Sequence, residues 1–131
     1  MIVETSALLA IMAKEPERPA FIGAIRADPR PKLSAANYLE AAIVVDRGKD
    51  PNISRDLDAV IGALDIEVVP FTAEQAEIAR DAYRDFGKGS GHRAQLNFGD
   101  CFAYALAAET GEPLLYNGED FTHAGVRPAL R

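Results

Sequence analysis

A chain of 131 residues, 48% hydrophobic and 26% charged, has the length and composition of one globular domain spanning 1–131, with core enough to fold without staples, and is not disordered. The 14 Lys and Arg against 20 Asp and Glu leave a net charge of −6, which excludes broad nucleic-acid binding through a basic surface but not a nuclease, because bound cations reverse the sign of a local acidic cleft. Cys101 has no partner for an internal disulfide, the first residues lack a leader pattern, and no apolar stretch approaches the roughly 20 residues of a membrane span, so a cytoplasmic protein without membrane contact is expected.

In chain order, MIVE is a short β-branched strand, and SALLAIMAKE has helical spacing with Ser6 as an N-cap. Pro16 interrupts that run before a second helix near PAFIGAIRA. DPRPK reads as a turn. LSAANYLEAAIVVDRG predicts a long apolar helix starting after Ser34 and stopped near Gly48, and NISRDLDAVIGAL a further amphipathic helix. IEVVPF is a strand. TAEQAEIARDAYRDFG follows as a helix, opened by the capping-box pair Thr72 and Gln75 and ended at Gly87. GKGSGHR is a loop, NFGDCFAYALAAETG a helix closed by Gly111, and PLLYN a strand feeding a turn at GEDF; the last residues are candidates for one more short strand. Strands alternating with helices of this length predict an α/β fold: a three-layer α/β/α domain around a mainly parallel sheet of four to five strands.

Three acids stand alone in apolar surroundings. Glu4 is the only charge in the first thirteen residues, Glu40 the only one in LSAANYLEAAIVV, and Asp100 the only one in AQLNFGDCFAYALAA. Enclosing an unpaired carboxylate is costly unless it is paired or bound to metal, so three such acids point to a shared cation. Glu119 or Asp120, after the PLLYN strand, offers a fourth carboxylate. Parallel α/β sheets collect ligands outside the carboxyl ends of their strands, where Glu4, Glu119 and Asp120 all fall. An all-carboxylate set without closely spaced His or Cys suits Mg²⁺ or Mn²⁺ better than Zn²⁺ or copper.

Each acid also has an ordinary reading. Asp100 suits the N-terminal end of a helix, Glu40 the solvent side of one, and Glu119 and Asp120 a plain turn. GKGSG follows a helix and lacks the order of a phosphate-binding P-loop, so it reads as a loop whose neighbours Lys88, His92 and Arg93 are candidates for contacting a phosphate backbone. His92 and His123 are too far apart to form a metal motif. Cys101 reads as a small core residue.

Taken together, MIVETSALLAI, SAANYLEAAIV, LNFGDCFAYALA and PLLYNGEDF closely resemble the PIN-domain ribonucleases, specifically the VapC toxins of bacterial toxin-antitoxin pairs, over essentially the whole chain. The resemblance implies endonucleolytic cleavage of RNA dependent on Mg²⁺ or Mn²⁺. It assigns the catalytic acids to Glu4, Glu40, Asp100 and Asp120, with Glu4, Asp100 and Asp120 on the metal. Thr5, Ser6, Asn97 and Glu119 are then candidates for positioning water or substrate, Asn97 alternatively for capping its helix. It also implies a homodimer, and a VapB-type antitoxin whose C-terminal segment covers the site, with DNA contacted only through that antitoxin.

Two positions depart from the family pattern. The first strand usually ends in Asp, and here stands Glu4; the last acid usually lies nearer its strand, where this chain has Gly118, so Asp120 or Glu119 must substitute, with Asp120 favoured. Glu keeps the charge but moves the carboxylate outward by roughly 1 Å or more, a displacement at which tightly built sites fail. Two expectations follow: an active ribonuclease toxin, or an attenuated PIN module that works by binding its antitoxin in a repressor complex. An acidic adaptor without a metal site would require Glu40 and Asp100 to lie far apart.

Overall fold

The computed structural model describes residues 1–130. In chain order they form β1 (Ile2–Val3), α1 (Thr5–Met12), α2 (Arg18–Ala27), β2 (Lys32–Ser34), α3 (Ala35–Arg47), α4 (Pro51–Ala63), β3 (Glu67–Val69), α5 (Ala73–Phe86), α6 (Phe98–Thr110) and β4 (Leu114–Leu115). The strands pair in the order β3-β2-β1-β4, all parallel. Neighbouring residues on the inner strands point to opposite faces. Val3, Leu33 and Leu115 enter one core with α1 to α4, while Ile2 and Leu114 enter a second core with α5 and α6. The sheet is therefore covered on both sides, and the expected three-layer α/β fold is the one observed.

One strand departs from the sequence reading. β2 occupies Lys32–Ser34, and its first residue falls inside DPRPK, expected to be a turn. The segment is too short and too polar at its start to show a strand pattern; it is extended because Lys32 N donates to Met1 O (2.9 Å) and Glu67 N to Pro31 O (2.9 Å), contacts between residues distant in sequence. The expected final strand is reduced to a single bridge, Leu114 with Pro128.

Helix boundaries follow local chemistry. Ser34 and Thr72 accept hydrogen bonds from Ala36 N and Gln75 N, as N-caps do. The expected box at Thr72 is half formed, because the Gln75 side chain turns instead to Glu109 (3.0 Å). Gly111 closes α6 with a left-handed φ of 71°. Gly87 ends α5 for another reason: its backbone is extended, and a Cβ there would lie 2.3 Å from Tyr83 O.

The topology fixes where a site can form. From β1 the chain winds outward through β2 and β3, then returns to place β4 on the other side of β1. The carboxyl ends of β1 and β4 thus flank the point where the winding reverses, the usual ligand position of such sheets.

Candidate active site

Glu4 directly follows β1 and caps α1. Its Oε2 accepts from Ser6 N (2.7 Å) and from the Ser6 hydroxyl. Ser6 Oγ accepts in turn from Asn117 N (2.8 Å), just past β4, and Glu4 N donates to Leu115 O (2.9 Å). The two strand ends are thereby tied together through Ser6, and Ser6, expected at the helix N-cap or at a metal water, instead supports the capping carboxylate. Glu4 is only 3% exposed. That burial pushes its carboxyl up to about 7, against the lowering effect of the Ser6 bonds, and the charges of Asp100 and Glu40 push the same way.

Glu40 reaches the same region from the first half of α3. Its Oε1 accepts from Thr5 Oγ1 (2.5 Å) and Asn37 Nδ2 (3.1 Å). Thr5, expected near a water or phosphate, is buried and holds Glu40 in place. The other oxygen, Oε2, rests against Gly99, where a Cβ would lie 1.7 Å from it; only glycine admits the carboxylate there.

Asp100 sits in the first turn of α6 within a complete capping box. Asn97 Oδ1 accepts from Asp100 N (2.8 Å), and Asp100 Oδ2 accepts from Asn97 N (2.9 Å). Asn97 is thus the helix cap. The helix-end reading of Asp100 is also correct, yet Asp100 is buried at 4% exposure and faces other acids. Burial pushes it up to about 6; the Asn97 bond lowers it, and Asp120, within hydrogen-bonding reach, and Glu40 raise it further. Asp120, exposed in the turn after β4, is therefore the late acid that Asp100 senses. Glu119 is exposed and contributes its backbone carbonyl to the same turn, accepting from Thr122 N (3.0 Å).

Four carboxylates from four parts of the chain thus share one electrostatic neighbourhood, which sets aside the adaptor in which Glu40 and Asp100 lie apart. The groups that bear most on Glu4 and Asp100 beyond their hydrogen bonds are other acids. Among the described residues, no three acidic, His or Cys side chains are already gathered around one point as a metal would gather them. Glu4, Glu40 and Asp100 each commit one oxygen to a protein donor and keep the other. Their chemistry nonetheless suits a hard divalent cation, since all are oxygen donors and a cation would offset both the burial that chiefly holds Glu4 and Asp100 above their ordinary values and the repulsion that adds to it.

The loop between α5 and α6 holds the remaining candidates. Arg93 Nη2 lies 3.0 Å from His123 Nδ1, which links the loop to the turn carrying Asp120. His92 shapes the loop: its Nδ1 accepts from Ala94 N (3.0 Å), and its ring packs edge-on against Phe86. Lys88 is exposed. Cys101 is buried, with its thiol pushed up to about 11 by burial, as a core residue rather than a nucleophile. Sequence reasoning missed Asn37, Gly99, Asn117 and His123. Only Asn37 left a signal, its three-residue spacing from Glu40 on one helix face.

A family model described as PIN domain matches residues 1–126. The chain belongs to the PIN domain family. Among the relatives of this PIN domain, Ribonuclease VapC28 of Mycobacterium tuberculosis and VapC ribonuclease Mb0625 of Mycobacterium bovis are each 54% identical over 131 residues, covering 99% of this chain and 98% of theirs. Ribonuclease VapC42 of M. tuberculosis is 46% identical over 129 residues, 98% of each chain. Relatives at this level over nearly full length place the domain with the VapC ribonucleases. The fold is shared with the crystal structure of M. tuberculosis VapC20, a Sarcin-Ricin loop cleaving toxin, at a TM-score of 0.72 and 18% identity, covering 97% of this chain and 98% of that one. It is shared as well with a toxin-antitoxin complex from Klebsiella pneumoniae, at a TM-score of 0.68 and 14% identity over 92% and 88%.

Proposed function

We propose that this PIN domain is an endoribonuclease toxin that cleaves RNA with Mg²⁺ or Mn²⁺ and is neutralised by a VapB-type antitoxin. The observation that carries the reading is the meeting of Glu4, Glu40, Asp100 and Asp120 at the reversal of the sheet, in a chain 54% identical to proteins named as VapC ribonucleases. Glu4, Asp100 and Asp120 would hold the cation, which when bound supplies Lewis acidity toward a phosphoryl oxygen and a lowered pKa for water. Glu40 Oε2 carries no hydrogen bond among the described residues and is the atom assigned to take a proton from the attacking water. Thr5 keeps that carboxylate oriented by binding its other oxygen. Arg93 and Lys88 are assigned to the RNA backbone, with His92 holding their loop in shape.

Partners follow from the surface. An acidic mouth is complemented by a basic antitoxin segment, and a net charge of −6 leaves DNA to the antitoxin. Beside Glu40, Leu39, Ile43 and Val44 on α3 are exposed next to Phe98, which is 76% exposed on α6. That apolar strip supports a homodimer. No described helix is long and apolar enough to cross a membrane. The reading assigns the protein to the cytoplasm, with its RNA.

A second reading has its own observation. Both side-chain hydrogen bonds of Glu4 run to Ser6, so its longer side chain serves as the helix cap, the posture expected of an attenuated PIN module that acts by binding its antitoxin. Incubating RNA with antitoxin-free protein, with and without a chelator, separates them. Metal-dependent cutting supports the toxin, and no cutting under any metal favours the binding module.

A further inference from the structure

Asn37 lies one turn before Glu40 on α3 and is completely buried. Its amide nitrogen makes two hydrogen bonds that join different elements: Nδ2 donates to Glu40 Oε1 (3.1 Å) and to Gly99 O (3.0 Å), in the first turn of α6. Its Oδ1 is buried without a partner among the described residues. A side chain selected for packing would avoid that uncompensated desolvation, and an unsatisfied polar atom in a core asks for a reason. The two donor bonds give one, since they tie the carboxylate of Glu40 and the start of the helix that carries Asp100 to a single amide.

Gly99 completes the arrangement. Its missing side chain is the seat for Glu40 Oε2, since a Cβ would stand 1.7 Å from that oxygen and 2.5 Å from the carboxyl carbon. Thr5 closes the other side, with Oγ1 donating to Glu40 Oε1 (2.5 Å) and lying 3.4 Å from the backbone carbonyl of Asn37. The Glu40 carboxylate is thus held between Thr5, Asn37 and the bare backbone of Gly99.

We infer that Asn37 is a positioning residue: it clamps the Glu40 carboxylate into the seat at Gly99 and so sets its place relative to Asp100. The catalytic meaning of the clamp rests on the proposed ribonuclease reading, whereas the clamp itself is a property of the folded chain. Completely buried, Asn37 has no surface open to substrate or metal and acts through Glu40 and the Gly99 carbonyl.

Two measurements test it. The first is a thermal-unfolding cycle of Asn37→Ala, Gly99→Ala and the double variant, all metal-free. In the unsubstituted background, the new Cβ at 99 must expel a carboxylate that Asn37 holds in place. Once Asn37 is gone, Thr5 alone still holds the carboxylate, which gives way more easily. The Tm loss caused by Gly99→Ala is expected to shrink by more than about half in the Asn37→Ala background, a non-additivity diagnostic of direct contact. Equal losses in both backgrounds overturn the clamp.

The second measurement reads kinetics and Mn²⁺ affinity. Asn37→Ala and the similarly sized Asn37→Leu, neither of which can donate, are expected to lower kcat roughly 10-fold to 100-fold, with KM and Mn²⁺ affinity held within about twofold. Asn37→Ser, which keeps one donor, recovers part of kcat. A parallel fall of kcat, Mn²⁺ affinity and Tm, or an unchanged kcat in an active enzyme, overturns the positioning role. If the unsubstituted protein cuts no RNA, the ribonuclease reading fails, and the Tm cycle alone decides the clamp.

Discussion

The buried acids are expected to make the metal-free protein less stable as pH rises, contrary to the behaviour of ordinary ion-paired carboxylates. Glu4 has a folded value of about 7 against an ordinary 4.5. Below pH 4.5 it is protonated in both states, and its ionisation affects neither. Between pH 4.5 and 7 the unfolded chain releases its proton while the folded chain keeps it, so stability falls at up to about 1.4 kcal/mol per pH unit. The loss totals about 3 kcal/mol by pH 7 to 8, a large part of the margin of a small domain. Asp100, raised to about 6, adds a loss of the same sign. The assay is denaturant unfolding in chelator at pH 5 and pH 8, for the unsubstituted protein and Glu4→Gln. Glu4→Gln, which never ionises, is expected to lose markedly less stability over that interval. Mn²⁺ is expected to stabilise the unsubstituted protein more at pH 8 than at pH 5, because binding favours the ionised acids. Equal pH dependence in the two proteins would refute the reasoning about Glu4.

Three further outcomes are expected. Glu4→Asp keeps a good N-cap residue while shortening the side chain, so it is expected to fold normally, bind Mn²⁺ more tightly and cleave RNA roughly 10-fold faster, read by titration and by initial rates. If only this variant cuts, the chain as it stands is the attenuated module. Glu112 shows the opposite linkage to Glu4: burial alone would raise it, but hydrogen bonds from Lys32 and from the Met1 amine (2.6 Å) outweigh that and hold it at about 2. Its stabilisation is present above pH 4.5 and lost as pH falls toward 2, so Glu112→Gln is expected to cost about 1–2 kcal/mol at pH 7, after allowance for solvent screening, and progressively less in acid unfolding curves. Asn97→Ala removes the cap of α6 and one side of the box around Asp100, with an expected loss of about 1 kcal/mol in denaturant unfolding.

Much of the site was legible because burial leaves a mark on composition. Glu4, Glu40 and Asp100 stand alone in apolar runs; Glu4 and Asp100 are buried, and the half-buried Glu40 reaches the same region. The helices were legible from their caps, Ser34, Thr72 and Asn97. β2 was not, because a three-residue strand between prolines and a helix has no room for a period, and its extension is imposed by Met1 and Glu67. Asp120 could be favoured over Glu119 only through resemblance, since both lie in one turn and their surroundings are set by where β4 ends. Gly99 was illegible for a related reason, and the spacing of Asn37 from Glu40 hinted at only half its role: what joins the two is a contact across 62 positions of chain.

The most direct test of the central claim is RNA cleavage by antitoxin-free protein in Mn²⁺ or Mg²⁺, with Asp100→Asn beside it. Asn at this position leaves a polar side chain at the helix start while removing the charge on which the site depends. The expected result is endonucleolytic cutting that stops in chelator, returns with added metal, and falls at least roughly 100-fold in Asp100→Asn while the fold is retained. Cutting that persists in chelator, or an Asp100→Asn protein as active as the unsubstituted one, would contradict a carboxylate-held metal as the source of activity.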